Sequence, residues 1–169
     1  MNFRELYEKG LDYKDFLKTL DIEDKEIMER YSKLVVETLD ESLTEKIKNI
    51  DKDIQILVFA EGWCPDCQIN MPPIFHITNI NPKIKMKILK RDTNEKYLEP
   101  YFINGKPKIP TILVLDSTYR EIDNIIERPR YIKELLGSQK ESESIIAKRK
   151  YKKGEFLSEI IKDIIAIIK

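Results

Sequence analysis

The 169-residue sequence predicts an α/β fold, and three observations carry that prediction. "DIQILVFAEG", residues 53–62, is an apolar run rich in Ile, Val and Phe and closed by Gly62, the pattern of a strand buried on both faces. "KIKMKILKRD", residues 83–92, sets Ile84, Met86 and Ile88 against Lys83, Lys85 and Lys87, the period-two signature of a strand with one wet face. Around them, apolar residues recur among charges at spacings of three and four, which is the helical period.

Taken in order, Phe3, Leu6, Tyr7, Ile27, Tyr31, Leu34, Val35 and Leu39 predict two or three helices, with Gly10, Asp12 and Asp21 as punctuation. These residues, 1–48, form a helical extension expected to pack on a main domain of residues 49–169. The first strand follows and reads as an interior, parallel one. "QINMPPIFHITNI" (68–80) is helical, and Pro72 and Pro73 are expected to kink it. After the second strand, "NEKYLEPYFI" is a short helical segment and "NGKPKIP" a turn-rich loop centred on Asn104-Gly105. "TILVLDS" and "REIDNII" are close enough for a hairpin. Pro129 then opens a helix over "RYIKELLG" that stops at Gly137, residues 138–150 are a linker or exposed helix, and Gly154 precedes a last helix. Its apolar face is Phe156, Leu157, Ile160, Ile161, Ile164, Ile165 and Ile168.

Thirty basic residues balance thirty acidic ones, so no global field favours nucleic acid or an anionic membrane. The interleaved charges of "MNFRELYEKGLDYKDF" do not make a secretory signal, and "FLSEIIKDIIAIIK" is too short, and too interrupted by Lys162 and Asp163, to span a bilayer. A cytoplasmic location is therefore expected, and the richness in Ile, Lys and Asn suggests an AT-rich, bacterial genome. In a reducing compartment structural disulfides are rare, so the only two cysteines, two residues apart in "EGWCPDCQIN", point to redox chemistry or metal binding. Structural zinc needs two more ligands, and the chain offers no further cysteine and only His76, so no metal is expected. The basic run "AKRKYKK" (147–153) reads as a solvated face.

If Cys64 sits at a helix amino terminus, its sulfur faces unpaired backbone N–H groups and the positive end of the helix dipole, both of which favour thiolate. A free thiol with a pKa near 8.5 is about 3% ionised at pH 7, and one near 7 about half, roughly fifteenfold more nucleophile. Lower basicity returns part of that gain, with a Brønsted slope of about 0.4 to 0.5. Pro65 suits the first helical turn. Asp66 stabilises that turn but opposes the thiolate, so Cys64 is expected to be less acidic than beside a neutral residue, and the couple a reductant.

The order of elements, with Trp63-Cys64-Pro65-Asp66-Cys67 after a buried strand, Pro72 eight residues past Cys64 and Pro110 forty-six past it, resembles the thioredoxin superfamily. Within it the chain is similar to bacterial thioredoxin-like proteins with a WCPDC motif and a helical amino-terminal extension. The resemblance implies a central mixed sheet of four to five strands flanked by helices. It also implies a thiol-disulfide oxidoreductase in which Cys64 attacks, Cys67 resolves, and Trp63, Ile109 and a cis Pro110 present the substrate. That substrate would be a disulfide-containing protein or small molecule. Electrons would come from a thioredoxin-reductase-type flavoprotein or a low-molecular-weight thiol, with no bound organic cofactor. The competing expectation is a non-enzymatic binding module or redox sensor that docks a protein partner.

The chain departs from the family in two places. Where the family carries a buried acid six residues before the first cysteine, this chain has Val58, and the nearest acid, Glu61, is expected to be too exposed to replace it. In place of the family's groove glycine stands Glu127-Arg128-Pro129, where Arg128 is expected to place a positive charge beside Cys64.

Overall fold

The computed structural model describes residues 1–137 and 140–169. Its centre is β1 (Ile54–Ala60), in which every residue is buried. β2 (Ile84–Lys90) lies parallel to it, in register from Ile54 with Ile84 to Ala60 with Lys90. β3 (Thr111–Leu115) lies antiparallel on its other side, and β4 (Glu121–Ile126) completes a four-stranded mixed sheet of order β2-β1-β3-β4. The apolar run of β1 is thus explained by its interior place, and the alternation in β2 by its place at an edge.

Alternate residues of β1 serve two cores. Ile54, Ile56, Val58 and Ala60 pack under α3 (Ile22–Thr38), α5 (Pro65–Ile80) and α9 (Leu157–Ile168). Leu57 and Phe59 pack on the other face with Leu6 and Tyr7 of α1 (Phe3–Lys9) and with Leu98 and Tyr101 of a 3-10 helix over Glu95–Tyr101. In α9 the inward residues Ile160, Ile161 and Ile164 are almost wholly buried, each contributing about 1.5–3 kcal/mol by leaving water. Phe156, predicted for that face, instead precedes the helix and meets Tyr131 edge-on, with ring centroids 5.8 Å apart.

The first 48 residues form four helices rather than two or three, α2 (Tyr13–Lys18) and α4 (Glu41–Lys48) completing the set. The additional break falls at Leu39, which is extended, and Asp40 starts α4 by accepting a 2.6 Å hydrogen bond from the Leu43 amide. Phe16 and Met28, with no exposed surface, share the cluster that holds Ile56 and Val58. Leu11 exchanges backbone hydrogen bonds of 2.8 and 2.9 Å with Ile88, beside the free edge of β2. The close approach needs a glycine at the preceding position, since a Cβ on Gly10 would lie 2.7 Å from Lys87 Cβ.

Helix α5 contains both Pro72 and Pro73, and its end is tied to α4 by Asn81, whose amide donates to Ile47 O and Ile50 O at 2.8 Å. After the short α6 (Arg91–Asn94) and the 3-10 helix, Ile103 pairs with Lys106 across a tight reversal, Asn104 and Gly105 both having positive φ. α7 (Arg130–Leu136) follows Pro129 and ends at Gly137. Most of the charged stretch predicted as a linker or exposed helix lies in α8 (Glu141–Lys152), while residues 138 and 139 of that stretch lie outside the described residues. The Tyr31 hydroxyl donates to Lys152 O at 2.7 Å and so fastens α8 to α3. Among the described residues no helix is long and apolar enough to cross a membrane.

Candidate active site

Strand β1 ends at Ala60 and α5 begins at Pro65, so the four residues between turn the chain from sheet to helix at the top of the core. Cys64 is the residue that precedes the helix, in extended conformation, and Pro65 occupies the first turn, where its missing N–H leaves nothing unpaired. One turn on, Cys67 has no exposed surface, while Cys64 keeps 6%. As a thiol, Cys64 Sγ donates to Ile109 O at 3.6 Å, and the Ile109–Pro110 peptide is cis. Residues forty-five positions apart thus meet at one rim. Trp63, 55% exposed, stands on that rim with the Arg91 guanidinium 5.6 Å from its ring centroid.

The two sulfurs differ in their ionisation. A hydrogen bond from the Cys67 thiol holds Cys64 below the ordinary thiol value, assisted by the backbone amides of Cys67 and Asp66 and opposed by burial and by the charge of Asp66. Cys67 is pushed well above the ordinary value, first by burial, then by donating to Cys64 and by the negative charge Cys64 carries when ionised. The pair therefore holds one proton readily lost and one firmly kept.

Two expectations about the surrounding charges need correction. Arg128 does not spend its charge on Cys64: its Nε and Nη2 donate to Asp66 Oδ1 and Oδ2, both at 2.9 Å, in a bidentate pair. Asp66 does oppose the thiolate, as expected, but it does so with this guanidinium beside it. Glu61 is not exposed. It retains 6% of its surface, and its carboxylate accepts the Asp92 amide at 2.9 Å, at the start of α6. Val58 is fully buried in the same cluster as both cysteines, so an isopropyl group fills the position where an acid was sought.

Several residues that no motif in the sequence marks hold this turn in place. Gln68 donates from Nε2 to Gly62 O and to Asp24 Oδ1, both at 2.8 Å, linking the turn to α3. Asn70 donates to Asp66 O at 2.8 Å, Tyr151 Oη at 2.6 Å and Glu127 O at 3.3 Å, joining α5, α8 and the loop after β4. Leu20 packs so closely that a Cβ on Gly62 would lie 2.4 Å from its Cδ2. One signal was present: Gln68 and Asn70 are uncharged polar residues inside an otherwise apolar helix, and buried polar groups need partners. His76 lies about 18 Å along the helix from Cys64 at 1.5 Å per residue, and burial lowers its pKa. Among the described residues no group of three or more His, Cys, Asp and Glu is arranged to hold a metal ion.

The model of a family described as Thioredoxin matches residues 10–146. None of the curated proteins is similar enough in sequence to count as a relative. Two crystal structures are similar over nearly the whole chain. One is an HIV epitope-scaffold, at 27% identity and a TM-score of 0.88, covering 99% of this chain and 98% of that one. The other is a protein of unknown function from Pseudomonas aeruginosa, at 28% identity and a TM-score of 0.88, covering 99% and 97%.

Proposed function

The chain belongs to the thioredoxin family, and from that premise we propose that it is a thiol-disulfide oxidoreductase that reduces disulfides with the Cys64/Cys67 dithiol. The observation that carries the reading is the asymmetry of the pair: a sulfur at a helix start that keeps a little exposed surface and has a lowered pKa, backed by one with no exposed surface and a raised pKa. Such a pair attacks from one side and resolves from within.

The Cys64 thiolate attacks one sulfur of the substrate disulfide, forming a mixed disulfide and releasing the other sulfur as a thiolate. That thiolate, the strongest base formed in the step, takes the Cys67 proton directly or through solvent. Cys67 then attacks Cys64 Sγ, the second substrate sulfur leaves and is protonated by water, and two electrons have passed to the substrate. This route needs no carboxylate behind Cys67, which accommodates Val58. The resulting Cys64–Cys67 disulfide must be reduced by an external dithiol, by a flavoprotein reductase or by a low-molecular-weight thiol, in a reducing compartment such as the cytoplasm. The Ile109 backbone, Pro110 and Trp63 form the surface that the substrate meets.

The test is turnover of a protein disulfide driven by dithiothreitol. Wild type should exceed Cys64→Ser by at least a hundredfold over the uncatalysed rate, and equal rates would sink the proposal. Cys67→Ser should accumulate a mixed disulfide that Cys64→Ser does not form, and the reverse result would exchange the assigned roles.

A further inference from the structure

Beside the redox turn is a cavity of about 280 Å³, walled on one side by Pro65 and Asp66, the residues next to Cys64, and on the other by Tyr151, Lys148 and Lys152 of α8. Arg128 closes a third side. We propose that this cavity receives an acidic side chain next to the substrate's cysteine, so that the protein selects peptide disulfides flanked by Asp or Glu. The proposal rests on the oxidoreductase reading and names the substrate class of that site.

Charge is the first argument. Arg128 and Asp66 form a bidentate pair, so their charges largely cancel, and Lys148 and Lys152 leave the lining with two positive charges. Among the described residues neither lysine has an ion-pair partner. They are four residues apart on one helix and therefore neighbours on its surface, where like charges repel. A carboxylate placed between them relieves that repulsion.

Continuity is the second argument. Glu127 N donates to Pro110 O at 2.7 Å, so the loop that carries Arg128 is joined to the loop that presents Ile109 to Cys64. The cavity begins at Pro65, the residue after Cys64, so a chain with its cysteine at Cys64 has a neighbouring side chain within a residue's reach of the lining. The volume equals about nine waters at roughly 30 Å³ each, room for one Asp or Glu side chain with bridging water. The wall is also fixed, since Asn70 bonds the Tyr151 hydroxyl and Tyr31 bonds Lys152 O.

The test uses full-length protein, dithiothreitol as electron donor, and the symmetrical disulfides of three capped pentapeptides with Glu, Gln or Lys on both sides of cysteine. Wild type should reduce the Glu peptide about tenfold faster in kcat/KM than the Gln peptide, and the Lys peptide slowest, with the preference shrinking at high salt. The double variant Lys148→Gln, Lys152→Gln should bring the Glu-to-Gln ratio towards one, chiefly by slowing the Glu peptide. Equal wild-type rates, or a ratio unmoved by the double variant, overturn the proposal. Binding of the Glu peptide with serine in place of cysteine, followed through the amide signals of Lys148 and Lys152, reads the cavity without turnover. Binding lost in the double variant supports the cavity even if no peptide is reduced, an outcome that would remove only the oxidoreductase reading. No binding to wild type counts against the cavity itself.

Discussion

At the scale of the residue, the chemistry turns on how four side chains share charge. Asp66 raises the pKa of Cys64, and Arg128 partly neutralises Asp66. Asp66→Asn removes the opposing charge and leaves the guanidinium uncompensated, so Cys64 should alkylate with iodoacetamide at a lower midpoint pH than in wild type. Arg128→Gln should move the midpoint up. A second consequence concerns stability. A folded-state pKa below the unfolded value adds stability that is complete above the unfolded value, about 8.5, and is lost as pH falls through the lowered value. The reduced protein should therefore gain stability relative to Cys64→Ser as pH rises through that window, and a urea midpoint difference that stays flat would contradict it. The cysteine turn was legible because its motif is compact: five adjacent residues hold both thiols and the start of the helix between them. The Asp66–Arg128 pair was not, because it joins residues sixty-two positions apart, and neither was Glu61's burial, which depends on where α6 begins.

At the scale of the element, the strands were the most readable part of the chain. β1 announces itself by seven residues without a charge, and β2 by its alternation. The amino-terminal helices were undercounted because Leu39 continues the apolar period across a break that only the Asp40 cap marks. Asp40→Ala should lower stability by about 1 kcal/mol through loss of that cap, read as a lower urea midpoint with an unchanged slope. Gly10→Ala tests a different contact. The added methyl meets Lys87 Cβ, which is fixed to the backbone and cannot swing away, so a cost of about 1–3 kcal/mol is expected. A flexible neighbour would give a smaller penalty, as Leu20 should when it faces Gly62→Ala.

At the scale of the whole molecule, the first 48 residues and the strands contribute to the same cluster, with Phe16 and Met28 beside Ile56, Val58 and Cys67. We expect one cooperative unfolding transition, with far-UV circular dichroism and Trp63 fluorescence changing together. Phe16→Ala should cost about 3–5 kcal/mol and lower both signals' midpoint equally, whereas separate transitions would show two independent units. This shared core could not be read from the sequence, because a helical period says that a helix has an inner face but not what lies under it. The attachment of α8 to α3 and α5 was equally hidden: its lysines are exposed, as a solvated run suggests, but only the hydrogen bonds of Tyr31 and Asn70 show where the helix is held. The bridge between Leu11 and Ile88 reaches beyond folding. A strand at the border of a sheet carries unused backbone groups on which another chain can continue the pleat, and such templating is a route to aggregation. Here the chain occupies one border with its own Leu11, and the opposite border, β4, carries Glu121 and Asp123, the latter paired with Arg130 at 2.7 Å. Growth by strand addition is thus disfavoured at both margins, which favours a molecule that stays dispersed when concentrated.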